Sequence, residues 1–148
     1  MMRVLFVTGD YPLMQGGVGD YTRRLGEALG ELDADVHVLT HTDAGDDHLR
    51  AAATPYEPAV YPVLKQHGWN LWRHALTAID RVQPQVVHIQ YQSAAYGLHP
   101  AVNLLPDRLR LRRSRPVVFT TFHDLKFPYL FPKAGPLRWQ AVLALARG

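Results

Sequence analysis

Residues 3–19, RVLFVTGDYPLMQGGVG, contain the pattern that decides the fold. The first part, Arg3–Thr8, is a short run of apolar and β-branched residues, which predicts a strand buried on both faces, as in parallel sheets. The glycine-rich segment Gly16–Gly19 then opens a stretch, Val18–Gly30, whose apolar residues recur at helical spacing. A buried strand, a glycine-rich turn and a helix together predict the first unit of a parallel α/β fold.

The rest of the chain repeats this alternation. Strands are predicted at Asp35–Thr40, Ala59–Leu64, Gln85–Gln90 and Pro116–Thr121, and helices at Gly68–Val82, Leu98–Arg112 and Leu137–Arg147. Pro62 restricts the third strand to a sheet edge, Thr42–Pro58 is typical of a connection, and the third helix is expected to break or restart at Pro106. Because crossovers between parallel strands are right-handed, we expect one Rossmann-like, doubly wound sheet over residues 1–148, with strand order 3-2-1-4-5 and helices on both faces.

Length and composition exclude several classes of protein. A chain of 148 residues with 47% apolar and 20% charged residues is typical of one globular domain. The absence of cysteine excludes disulfide scaffolds, thiolate metal sites and cysteine nucleophiles. No apolar run reaches the roughly 20 residues of a membrane span, and the apolar start is too short for a secretory signal, so we expect a cytoplasmic protein. A net charge of +3 does not indicate a nucleic-acid partner.

The glycine-rich turn is the first candidate for a ligand site, because doubly wound sheets bind ligands beyond the carboxyl ends of their strands. Gly16, Gly17 and Gly19 would let a ligand approach the backbone, and the free amides of a helix N-terminus favour an anion such as phosphate. The alternative is that these glycines only shape a turn. The third glycine of the dinucleotide fingerprint is missing and no P-loop lysine follows, so neither site is predicted.

The second group of candidates follows strands 4 and 5. His123 and Asp124 are predicted just beyond strand 5, where an imidazole can donate to anionic oxygens or hydroxyls. Asp124 is interpreted either as a base or hydroxyl acceptor, or as a cap. Gln90 and Tyr91, predicted past the end of strand 4, would line the same cleft, whereas His88 within the strand is more often a core residue.

Other features point away from metal and nucleophile chemistry. His37 and His41 lie on a predicted strand and miss the i, i+4 geometry of a helical metal site, so no metal is expected. No G-x-S-x-G elbow occurs. Five arginines within Arg108–Arg115 indicate a solvated helix end or, less commonly, a contact with anionic lipid headgroups.

Three motifs together resemble the N-terminal domain of a retaining glycosyltransferase of family 4, also called group 1, which has the two-domain GT-B fold. They are Asp10-Tyr11-Pro12 followed by Gly16-Gly17-Val18-Gly19, then Val87-His88-Ile89-Gln90, and Thr121-Phe122-His123-Asp124. The resemblance covers essentially the whole chain.

The resemblance implies a hexosyl-type transferase that uses a nucleotide-sugar as substrate and needs no cofactor. It implies that the glycine-rich loop meets the donor diphosphate and borders the acceptor, through Gly16, Gly17, Val18, Gly19 and Asp20. It further implies that His123 contacts the donor sugar near the reacting centre, and we expect His123 and Asp124 to be catalytic. Tyr11, Gln90 and Tyr91 are expected to line the cleft for a sugar or lipid acceptor.

In this family a second Rossmann-like domain, with a paired-glutamate motif, binds the nucleotide. Residues 1–148 contain no such motif, so we expect this chain to be the acceptor-side domain and to be inactive alone. The alternative is a non-catalytic partner subunit, whose exposed apolar residues in Phe127–Phe131 and at Trp139 would associate with another chain that supplies the donor site.

Overall fold

Within the described residues, five parallel strands form one sheet in the order β3-β2-β1-β4-β5. The computed structural model describes residues 1–44, 54, 56–65, 68–124 and 136–145. The strands are β1 Met2–Thr8, β2 Ala34–His41, β3 Ala59–Leu64, β4 Val86–Gln92 and β5 Val117–Asp124. The predicted strand order is therefore confirmed.

Helices connect the strands and cover both faces of the sheet. They are α1 Gly17–Glu31, α2 Asn70–Val82, α3 Leu105–Arg110 and α4 Arg138–Leu145, with short 3-10 turns at Thr42–Ala44 and Ser93–Tyr96. Most of the predicted connection Thr42–Pro58 lies outside the described residues, as does Phe127–Phe131.

Alternation along β1 explains the two-sided core. Leu5 and Val7 pack into a cluster with residues of α2 and α3, whereas Val4 and Phe6 pack on the opposite face against α1. All four side chains are at most 2% exposed. The segment of β1 that is buried on both faces, Val4–Val7, is therefore apolar at every position, and helices on both faces are confirmed.

The predicted start of the third helix is wrong. The sequence predicts a helix over Leu98–Arg112, but the chain runs through turns before α3, and Leu98 has a positive φ of 57°. Pro106 lies in the first turn of α3, where its missing N–H costs nothing, so of the expected break or restart at this proline the restart agrees with the structure.

The fourth and fifth strands are longer than predicted. They extend to Gln92 and Asp124, so the candidate residues at their ends belong to the strands and do not follow them. This placement matters because alternate strand residues face opposite sides of the sheet.

Candidate functional site

The carboxyl ends of β1, β4 and β5 meet the N-terminus of α1 at one edge of the sheet. Gly16, the residue before the helix, provides no side-chain cap for the first amides. The helix dipole and the amides of its first turn therefore make this edge attractive to an anion.

The three glycines have different surroundings. A Cβ on Gly16 would lie 2.9 Å from Asp10 Oδ2, and one on Gly19 would lie 3.0 Å from the Cα atom of Tyr11. These two glycines are explained by close packing of the β1–α1 loop on the helix. A Cβ on Gly17 would meet no atom within 4 Å, so packing gives no reason for this glycine and the space beside it is open.

The other two predicted residues of the turn are placed differently from each other. Val18 is only 6% exposed, so it can contribute to a ligand only through its backbone amide. Asp20 is exposed in the first turn of α1, where its carboxylate complements the helix dipole.

His123 lies on the α1 face of the sheet and is joined to Gln90. Its Nε2 is 2.8 Å from Gln90 Oε1, and its ring meets the ring of Tyr21 edge-on at a centroid distance of 5.1 Å. Tyr21 is one helical turn beyond Gly17, so this contact links His123 to the N-terminal turn of α1.

A shift in strand register sets the position of His123. Tyr91 pairs with Phe122 and Gln92 pairs with Asp124, which leaves His123 as the extra residue of β5. Such bulges re-aim a side chain and often occur beside active sites.

His88 lies behind this pair on the same face. Its Nε2 is 2.8 Å from Thr121 Oγ1, and its ring packs against Phe6 at 5.1 Å. Burial, and secondarily the charge of His123, lower the pKa of His88, and burial lowers the pKa of His123. Both imidazoles are therefore held toward the neutral form.

Asp124 is the last residue of β5 and pairs with Gln92 of β4. Burial, with a smaller contribution from the charge of Asp124, raises the pKa of Tyr91 to about 12. The expected catalytic role of Asp124 stays a prediction.

The side chains expected to line an acceptor cleft are buried. Tyr11 is 2% exposed in the α1-side core, and Tyr91 is fully buried on the other face, against Phe122. Gln90 is also fully buried. The two tyrosines therefore have core positions, and their cleft role stays a prediction.

A separate recess opens at the same edge, on the β2 and β3 side. It is lined by Gly9, His41, His99 and Tyr96, together with apolar residues of α2 and the α3 approach. Trp69, half-exposed beside it, meets the ring of His99 edge-on at 5.1 Å. Gly9 belongs to the β1–α1 loop, so this loop borders both the recess and the N-terminus of α1.

The arginine run lies at the opposite edge of the sheet. Arg112 forms an ion pair with Asp80 and Arg110 with Asp107. The run precedes β5, whose length of eight residues separates it from His123 by about 20 Å at ~3.3 Å per residue. The arginines are therefore not part of the candidate site.

The sequence assigned no site contact to Tyr21 or Thr121, which contact His123 and His88. Tyr21 was detectable from its spacing, four residues after Gly17 on a helix.

Among the described residues, no group of three or more potential ligands is close enough to hold a metal ion. No described helix is long and apolar enough to cross a bilayer.

Comparisons with known proteins agree with this fold. The model of the family described as Glycosyltransferase Family 4 matches residues 15–148. The structure is similar to that of the sucrose-phosphate synthase from Thermosynechococcus elongatus, with a TM-score of 0.63 and 16% identity. The match covers 84% of this chain and 34% of that protein, so the chain spans about a third of its structural relative. No curated protein matches the sequence.

Proposed function

Because the chain belongs to glycosyltransferase family 4, we propose that it forms the acceptor-side domain of an enzyme that transfers a hexosyl group from a nucleotide-sugar. A second domain outside residues 1–148 would hold the nucleotide. The small share of the structural relative that the chain covers supports this division. We further propose that this chain alone does not catalyse transfer.

The observation that carries the proposal is the N-terminal turn of α1, which has open space beside Gly17 and contacts His123 through Tyr21. In the proposed reaction the bond between the anomeric carbon and the phosphate oxygen breaks, and its electron pair goes to that oxygen. Amides of Gly17, Val18 and Gly19 would stabilise the charge that develops there. Fixed dipoles of this kind lower the barrier because they act most strongly in the transition state.

The acceptor hydroxyl would form the new bond to the anomeric carbon. We propose that transfer retains the anomeric configuration and that the departing diphosphate accepts the acceptor proton. Asp20 has a charge that repels a diphosphate, so it suits a hydroxyl of the acceptor better than the donor phosphates.

We place the acceptor across the mouth of the recess lined by His41 and His99, because the recess opens at the same edge and shares the β1–α1 loop. The recess itself has room for only about one water molecule, so the acceptor would lie on the surface above it. Trp69 offers a half-exposed ring on which a sugar face can pack. A lipid-linked acceptor at this position would reach the site without contacting the distant arginine run.

The test is donor turnover by the complete protein as its gene encodes it. The protein would be incubated with a panel of nucleotide-sugars and acceptor extracts, and released nucleoside diphosphate and glycosylated product would be quantified. His123→Ala is expected to reduce transfer by at least ~100-fold, within the range attributed to positioned catalytic groups.

His74→Ala is the matched control, because His74 lies on α2 and lines neither the N-terminal turn of α1 nor the recess. It is expected to leave transfer unchanged. Equal activity of the two variants would contradict the role of His123, and absence of transfer from every donor by the folded wild-type protein would contradict the proposed function.

A further inference from the structure

Gln90 is an unusual residue for a central strand of the sheet. It is fully buried near the carboxyl end of β4, and its Oε1 makes the 2.8 Å contact with His123 Nε2. Its Nε2 is buried and has no hydrogen-bond partner within the part of the chain that the structure describes. A buried amide with an unsatisfied group is costly, so a glutamine at this position calls for a functional reason.

The contact has a definite direction. An amide oxygen can only accept a hydrogen bond, so His123 must donate and its Nε2 must carry the proton. A neutral imidazole has one N–H group, so Nδ1 then carries a lone pair. No described residue forms a hydrogen bond with Nδ1.

We propose that Gln90 is a positioning residue that holds His123 in the Nε2–H tautomer, so that Nδ1 accepts a hydrogen bond from one hydroxyl of the donor sugar. The second half of this inference rests on the proposed function, whereas the tautomer does not. The bulge that makes His123 the extra residue of β5 is the local feature that brings its ring to Gln90.

This tautomer changes the chemistry expected of His123. The sequence suggested that His123 donates to anionic oxygens or hydroxyls. With Nε2–H engaged by a buried amide, the remaining ring nitrogen can only accept while the ring is neutral. The diphosphate is then left to the amides of α1, and His123 distinguishes sugars by a hydroxyl.

The tautomer can be measured on the 148-residue chain without any activity. Long-range ¹H–¹⁵N correlation spectra of the histidine rings, recorded at pH 8 and assigned with His123→Asn, are expected to show Nε2–H for His123. In Gln90→Leu this preference is expected to be lost, whereas Gln92→Leu on the same strand should retain it. A predominant Nδ1–H form in the wild type, or an unchanged spectrum in Gln90→Leu, would overturn the proposal.

Gln90→Glu covers the case in which Gln90→Leu does not fold. A carboxylate still accepts from Nε2–H, so the tautomer should be retained while the pKa of His123, measured by titration of its ring signals, rises. A pKa that does not rise would show that residue 90 does not contact the ring.

The sugar hydroxyl is tested separately with the complete protein and monodeoxy analogues of the best donor. One analogue is expected to lose about 10-fold in kcat/KM with wild type, the size of one hydrogen bond, and to lose nothing further in His123→Phe. If every analogue loses equally in both proteins, the hydroxyl contact is wrong. Failure of all transfer would instead contradict the proposed function, with the tautomer still decided by the spectra.

Discussion

At the scale of single residues, the glycine-rich turn combines two structural glycines with one that has open space beside it. Gly16 and Gly19 lie against Asp10 and Tyr11, whereas no atom approaches the position of a Cβ on Gly17. The sequence could indicate a turn or a phosphate site but could not separate the three positions, because their difference arises from how the loop folds back on the helix.

The first prediction separates these glycines by stability. Gly19→Ala should lower the free energy of unfolding by about 1–3 kcal/mol, because its methyl group would press on the backbone of Tyr11. Gly17→Ala should change it by less than about 0.5 kcal/mol. Urea unfolding followed by circular dichroism checks both, and equal losses in the two variants would show that Gly17 is also packed.

The second prediction concerns acid. Burial lowers the pKa values of His88, His123 and His74, and nearby positive charge adds a smaller contribution at His88 and His74. The unfolded chain therefore binds more protons than the folded chain below pH ~6.5, the ordinary pKa of histidine. The stability that these neutral histidines contribute should be fully present above that pH. It should be lost as the pH falls through the lowered pKa values of the folded state.

His88→Gln tests this assignment, since glutamine can bond Thr121 but does not titrate in this range. Urea unfolding at pH 7.5 and pH 5.5 should show a smaller acid-induced loss for the variant than for wild type. The same loss in both proteins would mean that His88 has an ordinary pKa in the fold.

At the scale of elements, a buried tyrosine supports the edge on which the candidate site lies. The hydroxyl of Tyr96, which is 4% exposed, lies 2.9 Å from the carbonyl oxygen of Val7 in β1 and 3.0 Å from that of Gln90 in β4. It therefore connects the two central strands close to the residue that contacts His123.

The third prediction follows from this connection. Tyr96→Phe should lower the free energy of unfolding by about 1–3 kcal/mol, because the single hydroxyl proton that two buried carbonyl oxygens share is lost. Tyr56→Phe is the matched control, since Tyr56 is 53% exposed, and it should cost less than about 0.5 kcal/mol. Guanidinium unfolding checks the pair; a neutral Tyr96→Phe would mean that the hydroxyl adds no stability.

Most helices and strands could be predicted from the sequence, but the ends of two strands could not. Period-two and period-3.6 patterns identified all five strands and the helices α1, α2 and α4 in their approximate places. The ends of β4 and β5 were set too early, because polar residues there were interpreted as leaving the sheet. In the structure His123 and Gln90 form a hydrogen bond across neighbouring strands. These residues are 33 positions apart, so no local sequence pattern indicates the contact.

At the scale of the whole molecule, the two outermost strands of the sheet, β3 and β5, differ in how they are protected. β3 is an edge strand with Pro62, whereas β5 has exposed apolar side chains, with Val117 58% and Phe119 55% exposed. Among the described residues, β5 pairs only with β4, so its outer edge offers free backbone groups. The partner face suggested at Trp139 is exposed as well, at 55%.

The fourth prediction is that this edge promotes self-association of the 148-residue chain. Sedimentation velocity over increasing concentration should show weak association of the wild type that Val117→Lys reduces, because a lysine on an edge strand opposes strand pairing. Leu32→Lys, at an apolar residue 78% exposed on the end of α1, should not reduce it. If all three proteins associate to the same extent, β5 is not the site of self-association.

The molecule thus has its candidate chemistry at one end of the sheet and its arginines at the other. The fold and family could be predicted because they depend on periodicity and on short motifs. The placement of Tyr11 and Tyr91 in the core could not, because it depends on which face of each element becomes covered.

The measurement that tests the central claim most directly is a titration of the isotope-labelled chain with inorganic pyrophosphate at 150 mM salt, followed through its backbone amide signals. We expect saturable shifts at Gly17, Val18 and Gly19 and a change at His123, since this salt screens the exposed arginine run more than the helix N-terminus. Shifts confined to Arg108–Arg115, with the α1 amides unchanged, would contradict the assignment of the donor diphosphate to this site.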